Sequence, residues 1–339
     1  MVLVTGGTGL VGSHLLYKLV SEGHKVNAIY RRKKTLARVK KVFSYYTDDL
    51  ETLLDKINWI EADITDIPAL EKAFINIDYV YHCAAFVSFE PDKYNQLRKI
   101  NIEGTANIVN LSISNTVKKL CYVSSIAALG KSISPETFIT EKTEWNPEHD
   151  NSVYAITKYG AELEVWRGSQ EGVDAVIINP GIILGPGFWH GGGSGSLIKK
   201  IYHGLSYYPI GSAGYVDVYD TVGIMCRLME SDIKNERFIV IAENRSFKDF
   251  QNEVAKYLNA KKALKPASPF LLNIAWRLDW LNSKLFGKRR TLSKQMAKSI
   301  STISKYDHSK IKKMLAYDFE DLDSSINQVC GYFKEDMNL

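Results

Sequence analysis

Hydrophobic positions in the first 245 residues follow two alternating patterns. Short runs rich in β-branched residues alternate with longer stretches whose apolar residues recur every third or fourth position, which are the periods of strands and helices. The short runs predict strands over Val2–Thr5, Lys25–Tyr30, Ile57–Glu61, Tyr79–Cys83, Leu120–Ser124 and Ala175–Asn179. The longer stretches predict helices over Leu10–Glu22, Ile67–Phe74, Asp92–Ser114 and Ser152–Arg167. This alternation indicates an α/β protein with a doubly wound parallel sheet.

The pattern changes after Pro180. Six glycines between positions 185 and 195 predict a loop, and a helix over Asp220–Glu230 and a strand over Arg237–Ala242 follow. From Lys248 onward the pattern is helical. We therefore predict two interleaved domains. The larger covers 1–180 and is rejoined by about 219–245, and a smaller, mostly helical one comprises 181–218 and 246–339.

A glycine-rich loop joins the first predicted strand to the first helix. It reads Thr-Gly-Gly-Thr-Gly-Leu-Val-Gly over 5–12 and carries both GxxGxxG and GxGxxG spacings. Glycines let the backbone approach a pyrophosphate, and the helix N-terminus supplies free N–H groups and a positive dipole end. The loop in this position predicts a dinucleotide site of Rossmann type, formed by Gly6, Thr8, Gly9, Leu10, Val11 and Gly12.

The end of the second predicted strand indicates which dinucleotide binds. An acid about 20 residues past the loop would hold a ribose 2′-hydroxyl, but this strand ends in Tyr-Arg-Arg-Lys-Lys over 30–34. An arginine fork binds a 2′-phosphate through charge-assisted hydrogen bonds. We therefore favour NADP(H), with Arg31 as the main contact and Arg32 as the second. NAD(H) and a merely solvated basic run remain the alternatives.

Tyr154 and Lys158 lie at i and i+4 near the start of a predicted helix, so their side chains share one face. A nearby ammonium lowers the pKa of a phenol, so this pair predicts a general acid/base unit. Ser125 follows the fifth predicted strand, at the sheet edge where ligands bind, and we expect it to orient a substrate oxygen.

Taken together, these motifs resemble the extended short-chain dehydrogenase/reductases, of the NAD-dependent epimerase/dehydratase superfamily, over about the first 245 residues. The matching pieces are Thr5–Gly12, Asp63-Ile64, Ala84-Ala85, Asn101, Ser125, Tyr154/Lys158 and Asn179-Pro180-Gly181. The resemblance implies that Asp63 and Ile64 contact the adenine, and that Ala84 and Ala85 line the cofactor cleft. It also implies that Asn101 supports a proton-relay water through its helix.

The resemblance further implies that Lys158 hydrogen-bonds the nicotinamide ribose, while Pro180 and Gly181 border the nicotinamide. Within the family the chain looks most similar to dihydroflavonol 4-reductase-like and 3β-hydroxysteroid dehydrogenase-like reductases. It departs from them at Tyr219, where many relatives carry arginine.

These features predict an NADP(H)-dependent oxidoreductase that interconverts a small-molecule ketone and a secondary alcohol. Two alternatives stay open: a nucleotide-sugar epimerase that retains NAD, and a non-catalytic NAD(P)-sensing protein. The family resemblance also implies a homodimer, formed through the helices of 92–114 and 152–167.

Composition limits the remaining possibilities. Lys and Arg number 43 against 38 Asp and Glu, a net charge of +5, which does not indicate a nucleic-acid partner. No apolar run has the ~18 residues that a membrane span needs. The chain shows no basic region before its first apolar stretch, so we expect no secretory signal. The four separated cysteines and the absence of metal-ligand spacing predict a reduced, metal-free, cytoplasmic protein.

Three weaker signals leave alternatives open. Phe86–Phe89 is read either as a wall of a substrate pocket or as ordinary loop packing, and the Phe188–Gly195 segment either as a lid or as a surface loop. Trp276, Trp280 and Phe286 precede Lys288-Arg289-Arg290, within a segment that holds ten basic residues and one acid over 284–313. Core packing of this aromatic stripe is favoured over a basic amphipathic surface for membranes or anionic partners.

Overall fold

A seven-stranded parallel sheet forms the centre of the protein in the computed structural model, which describes residues 1–190, 192–287 and 290–339. The sheet strands are β1 (Val2–Thr5), β2 (Val26–Tyr30), β3 (Ile57–Glu61), β4 (Tyr79–His82), β5 (Lys119–Val123), β6 (Asp174–Pro180) and β10 (Glu236–Val240). The remaining strands are β7 (Ile182–Leu184), β8 (Tyr207–Pro209), β9 (Ser212–Asp217), β11 (Glu243–Ser246) and β12 (Lys265–Ala267).

The order of the large sheet is β10-β6-β5-β4-β1-β2-β3, with every pair parallel. The chain runs outward from β1 to β2 and β3 and then returns to β4 on the other side of β1. This reversal leaves a crevice at the carboxyl ends of β1 and β4, which is where ligands bind in doubly wound folds. The predicted fold class is confirmed.

The helices connect and cover these strands. The first group is α1 (Leu10–Ser21), α2 (Leu36–Phe43), α3 (Leu50–Leu54), α4 (Ile67–Ala73), α5 (Tyr94–Leu97), α6 (Gly104–Ser114) and α7 (Val153–Gln170). The second is α8 (Gly193–Tyr202), α9 (Val218–Glu230), α10 (Phe247–Tyr257), α11 (Pro269–Phe286), α12 (Lys294–Ser299), α13 (Ser309–Leu315) and α14 (Leu322–Met337). Short 3₁₀ turns lie at Lys33–Thr35, Pro91–Lys93 and Ile126–Ala128, and a π-helical segment, Arg98–Glu103, joins α5 to α6.

Both faces of the large sheet are apolar. One face packs against α1 and α9, with Leu16, Val222 and Met225 in its core, and the other against α4, α6 and α7, with Leu70 and Val165. Alternate side chains of β1 to β6 enter opposite clusters, so these strands are hydrophobic on both faces, as buried parallel strands are.

The C-terminal part of the chain has a separate core. Strands β7, β9 and β11 form a small sheet, and its central residue Tyr215 stacks on Phe250 of α10 at a ring-centroid distance of 4.5 Å. Helices α8, α10 and α14 contribute the rest of this cluster. β10 nevertheless lies beside β6 in the large sheet. The domain boundaries predicted above stay a prediction.

The predicted strands and helices of the first 180 residues match the structure to within a few residues. Strand β4 ends at His82 rather than Cys83, β5 ends at Val123 rather than Ser124, and the helix of 92–114 contains the π-helical segment. α2, α3 and five short strands were not predicted. Four of these strands have only three or four residues, too few to show a period. One of the four, β12, also contains Pro266, which cannot donate a ladder hydrogen bond.

The prediction of core packing for the C-terminal aromatic stripe is wrong for two of its three residues. Trp276 is partly buried, but Trp280 and Phe286 are exposed. Their helix α11 buries only Leu272 fully. Lys288 and Arg289 of the adjoining basic run lie outside the described residues. In the described ranges no helix is both long and apolar enough to cross a membrane.

Glycine packing in the first helix generates a stability prediction. A Cβ on Gly12 would lie 2.2 Å from the carbonyl oxygen of Gly6, so Gly12→Ala should lower the free energy of unfolding by about 1–3 kcal/mol. Gly331 of α14 is the control, since a Cβ there meets no atom within 4 Å and should raise stability by about 0.5–1 kcal/mol. Urea unfolding of both variants measures the two changes; equal effects of the same sign would contradict this packing.

Candidate active site at the carboxyl edge of the sheet

The loop after β1 lies directly against the end of β4. Gly6 has a φ of +68°, and a Cβ on it would lie 2.6 Å from the backbone nitrogen of Ala84. That nitrogen donates to the Thr5 hydroxyl at 3.2 Å. The glycine loop therefore packs against the Ala84-Ala85 pair at the crevice, and the cofactor contacts expected of both stay a prediction.

The N-terminus of α1 opens into the same crevice. Gly9 caps it, no side chain hydrogen-bonds to its free N–H groups, and the first turn contains no acid. A Cβ on Gly9 would meet only the Gly6 oxygen, at 3.3 Å. Gly9 is thus less confined by the protein itself than Gly6 or Gly12, as expected where the backbone must leave room for a phosphate. Thr8, Leu10 and Val11 are partly buried around it.

Arg31 and Asp63 meet beyond the ends of β2 and β3. A guanidinium nitrogen of Arg31 lies 3.6 Å from the Asp63 carboxylate, which accepts two hydrogen bonds from Thr65. Burial alone would raise the pKa of Asp63, but the Thr65 hydrogen bonds and the Arg31 charge together lower it. Arg32 is exposed beside this pair. The cationic and anionic groups predicted for the adenosine end are therefore neighbours.

Ile64 takes a different position from Asp63. Its side chain is buried against α6, where a Cβ on Gly104 would lie 2.6 Å from it, and its carbonyl accepts from Asn107 at 3.0 Å. The adenine contact that the resemblance implies for Ile64 stays a prediction.

Tyr154 and Ser125 come together across the crevice. Ser152 caps α7 by accepting from Ala155, which places Tyr154 in the first turn of the helix. Ser125, whose hydroxyl accepts from the Ala127 nitrogen at 3.1 Å, lies close enough to the Tyr154 phenol to influence its pKa. Burial raises the pKa of Tyr154 to about 12, against the lowering effect of the nearby Ser125 hydroxyl. The phenol is therefore protonated at neutral pH.

Lys158 lies one turn farther along α7 and is fully buried. Its ammonium donates to the Tyr122 hydroxyl at 2.6 Å and to the Val123 carbonyl at 2.8 Å. Burial lowers the pKa of Lys158 to about 7, although Glu162 and Cys83 oppose that shift. We expected the ammonium to lower the pKa of Tyr154; here burial dominates, and the ammonium contacts Tyr122 instead.

Glu162, the next residue along this face of α7, is the main group that the sequence reasoning missed. Its carboxylate accepts from Ser124 at 2.5 Å and Asn179 at 2.6 Å, and pairs with Arg237 at 3.2 Å. Asn179 also donates to the Ser125 carbonyl at 2.9 Å. Burial raises the pKa of Glu162 in spite of these partners. Its i+4 spacing from Lys158 was a readable signal.

Asn101 lies in the π-helical segment and is fully buried. Its amide exchanges hydrogen bonds with the backbone of Phe86, at 2.8 and 3.0 Å, and donates to Thr157 at 3.1 Å. This anchors the segment after β4 to α7. The Phe89 ring then lies 5.4 Å from the Tyr154 ring, centroid to centroid. This contact supports the pocket-wall interpretation of Phe86–Phe89.

Pro180 and Gly181 end β6 beside this group. The Gly181 nitrogen donates to Val240 at 3.1 Å, and a Cβ on Gly181 would lie 2.2 Å from the Gly214 carbonyl oxygen. Close packing of two strands already requires glycine there. The nicotinamide contacts implied for Pro180 and Gly181 stay a prediction.

The glycine-rich segment after β7 is anchored at Trp189. This side chain is buried, donates to Asp336 at 2.6 Å and packs on Phe333 of α14. Helix α8 begins within the predicted loop, at Gly193, and Gly191 lies outside the described residues. Tyr219, the departure noted above, packs edge-on against His14 at a centroid distance of 5.6 Å.

One exposed group of ligand-type side chains occurs among the described residues: Glu22, His24 and Glu230 have atoms within 4.8 Å of one another. Lys18 already pairs with Glu22 at 2.6 Å. The absence of a metal stays a prediction.

The fold and this edge of the sheet together define a dinucleotide-dependent enzyme of the extended short-chain dehydrogenase/reductase type. The family model described as "NAD dependent epimerase/dehydratase family" matches residues 2–242, and the chain belongs to that family.

Named relatives and a solved structure agree with this membership. "Sterol demethylase protein B" of Methylococcus capsulatus is 26% identical over 291 residues, covering 85% of this chain and 84% of that protein. A "Putative dihydroflavonol 4-reductase" of Synechocystis is 30% identical over 184 residues, 54% of this chain and 49% of that protein. The crystal structure of gox2253 superposes with a TM-score of 0.81 at 22% identity and covers 99% of this chain and 98% of that one, which shows the shared fold.

The depressed pKa of Lys158 predicts how stability changes with pH. Between about pH 7 and the ordinary lysine value of 10.5, the unfolded chain binds one more proton at this position than the folded one. The free energy of unfolding of the wild type should therefore rise with pH relative to that of Lys158→Met, by at most about 1.4 kcal/mol per pH unit. Urea unfolding at pH 7 and pH 9 measures this difference. Parallel pH dependence in the two proteins would show that the buried amine does not titrate there.

Proposed function

We propose that this protein is an NADP(H)-dependent oxidoreductase that reduces a ketone, or oxidises the corresponding secondary alcohol. The observation that carries the proposal is the proximity of the Ser125 hydroxyl to the Tyr154 phenol at the mouth of the crevice, with Lys158 one turn along α7. A proton donor and an oxygen-orienting hydroxyl lie together beside a phosphate-binding type of loop. General acid catalysis of hydride transfer to a carbonyl needs this arrangement.

Each residue has a distinct role in reduction. The nicotinamide cofactor, when bound, supplies the hydride. Ser125 donates a hydrogen bond to the carbonyl oxygen, and Tyr154 gives its phenolic proton to the same oxygen as negative charge develops there. The raised pKa of Tyr154 keeps that proton in place at neutral pH. Lys158 adds positive charge nearby and, as the family resemblance implies, holds the nicotinamide ribose.

An apolar ketone suits the surroundings of Tyr154. Phe89 packs on the Tyr154 ring, and Asn101 holds the Phe86 backbone in place behind it. Aromatic walls with a few polar groups are typical of small-molecule sites. The Methylococcus relative carries "sterol" in its name, and a sterol-sized ketone belongs to the same chemical class.

The preference for NADP(H) rests on Arg31. Its exposed guanidinium already pairs with Asp63 at the adenosine end, and no acid follows β2 to repel a 2′-phosphate. An epimerase would use the same Ser125, Tyr154 and Lys158 while retaining NAD, and Arg31 is what favours the reductase. The intact catalytic set argues against a purely sensing role.

We also propose the homodimer that the family resemblance implies. Ile156 and Leu163 of α7 are exposed large hydrophobic residues seven positions apart, so they lie on one face of the helix. The four cysteines are free, which agrees with the cytoplasmic location that we propose.

Replacing the proton donor tests the mechanism. Tyr154→Phe should lower kcat for NADPH-dependent reduction of whichever aliphatic or aromatic ketone the wild type turns over by about 10²–10⁴-fold. NADPH affinity, measured by fluorescence titration, should change little because the ring remains. Tyr159→Phe is the matched control on the same helix and should keep wild-type kcat. A Tyr154→Phe enzyme with full activity would exclude Tyr154 as the acid.

Replacing the arginine tests the cofactor preference. Arg31→Ala should weaken NADPH binding by roughly tenfold or more, since a charge-assisted hydrogen bond contributes about 1.5–3 kcal/mol. NADH binding should be almost unaffected, and Lys34→Ala is the control for general loss of positive charge. Fluorescence titrations of the three proteins with both cofactors give six affinities. Wild-type preference for NADH, or NAD retained through purification, would favour the epimerase instead.

A further inference from the structure

Helix α11 carries a continuous apolar stripe on its solvent side. Phe270, Ile274, Leu278, Leu281 and Leu285 follow one another at spacings of four, four, three and four residues, which places them on one face. All five are exposed, with Phe270 at 74%, Leu278 at 60% and Leu285 at 66% of their full surface. We call these five residues the α11 stripe. Single exposed hydrophobic residues are ordinary on a protein surface, but a continuous row marks an interaction site.

The opposite side of α11 is well anchored, so the exposure is not that of a loose helix. Leu272 and Trp276 pack against Ala297 of α12, and Asp279 accepts hydrogen bonds from the Thr291 backbone and hydroxyl at 2.9–3.3 Å. Gly287, in the left-handed conformation at φ +63°, ends the helix. The protein therefore holds the α11 stripe outward on a fixed support.

The segment of the sequence that contains α11 is strongly basic. Residues 261–298 contain ten Lys and Arg and a single acid, Asp279, which lies on the anchored side. Arg277 and Lys284 are seven residues apart and flank the stripe along one edge of the helix. Their side chains lie over Trp276 and Trp280 at 4.6 and 5.8 Å from the ring centroids. An apolar row edged by cations and tryptophans is typical of helices that lie in a membrane interface.

We propose that the α11 stripe docks this protein on an anionic phospholipid surface, with the stripe in the acyl boundary and the flanking cations among the phosphates. Charge complementarity decides against a second copy of the chain, because a symmetric contact through this face would bring the same basic residues together. The interaction is peripheral, in line with the finding that no described helix could span a membrane.

Helix α12, which anchors α11 on the side away from the stripe, contacts the start of the helix that carries Tyr154. Gln295 of α12 accepts from the backbone nitrogen of Val153, the residue before Tyr154, at 3.2 Å, and Lys298 pairs with Asp150 at 2.6 Å. If the proposed reductase function holds, docking would place the enzyme on a bilayer in which an apolar ketone can dissolve. This last step rests on the proposed function, whereas docking itself does not.

Vesicle co-sedimentation of the purified full-length protein tests the docking. Wild-type protein should bind vesicles of phosphatidylcholine mixed with phosphatidylglycerol at least about tenfold more strongly than phosphatidylcholine alone. The triple variant Leu278→Gln, Leu281→Gln, Leu285→Gln should lose about tenfold or more of that binding. Arg277→Glu with Lys284→Glu should abolish the preference for anionic vesicles. The control, Ile75→Gln, Ile133→Gln and Ile303→Gln, removes three exposed isoleucines elsewhere and should bind like wild type.

Each remaining result overturns the proposal. No binding to either vesicle, equal binding to neutral and anionic vesicles, or unchanged binding of the stripe variant would do so. A wild-type dimer that the stripe variant alone converts to monomer in light scattering, without vesicle binding, would assign the α11 stripe to a second copy. Titration of the same samples with NADPH measures cofactor binding independently of vesicle binding. A failure of the docking proposal can therefore be distinguished from a failure of the proposed reductase function.

Discussion

The burial of two opposite charges on one face of α7 is the constraint on which the site depends. Lys158 and Glu162 are both fully enclosed, and an unpaired charge in that environment would cost several kcal/mol. The partners that offset this cost lie on, or directly after, three different strands. Lys158 is held by the end of β5, and Glu162 by Ser124, by Asn179 of β6 and by Arg237 of β10. Satisfying the two charges therefore fixes α7 against three strands, and with it the position of Tyr154.

The same hydrogen-bond network connects a distant part of the chain to the candidate active site. Arg237 lies about 75 residues beyond Glu162 and belongs to the last strand of the large sheet. Asn179 transmits the position of Glu162 to the backbone of Ser125. Ser125 and Tyr154 thus depend on one buried network, although one follows a strand and the other opens a helix. The proposed proton donor and the proposed orienting hydroxyl are therefore positioned together.

Local sequence patterns were sufficient to predict those helices and strands whose own residues show a clear hydrophobic period. The strands of the large sheet, the glycine loop and the shared face of Tyr154 and Lys158 all follow from spacing within about 15 residues. The position of the Lys158 ammonium could not be predicted from such spacing. The ammonium donates to Tyr122, and only folding brings Tyr122 and Lys158 together. The small sheet and the role of Arg237 were not predicted for the same reason, because their partners are far away in sequence. The sequence could not distinguish the exposed side of α11 from a core face. Amphipathic periodicity places apolar residues on one face of a helix but does not show whether another part of the protein covers that face.

Net hydride transfer is the central claim, and it separates the reductase from an isomerase that shares the same residues. The most direct measurement is mass spectrometry of products after incubation with NADPH deuterated at both C4 positions and a panel of ketones. The account predicts an alcohol with one deuterium on the carbinol carbon and one equivalent of NADP⁺. A product isomeric with its substrate, formed without net oxidation of the cofactor, would contradict it.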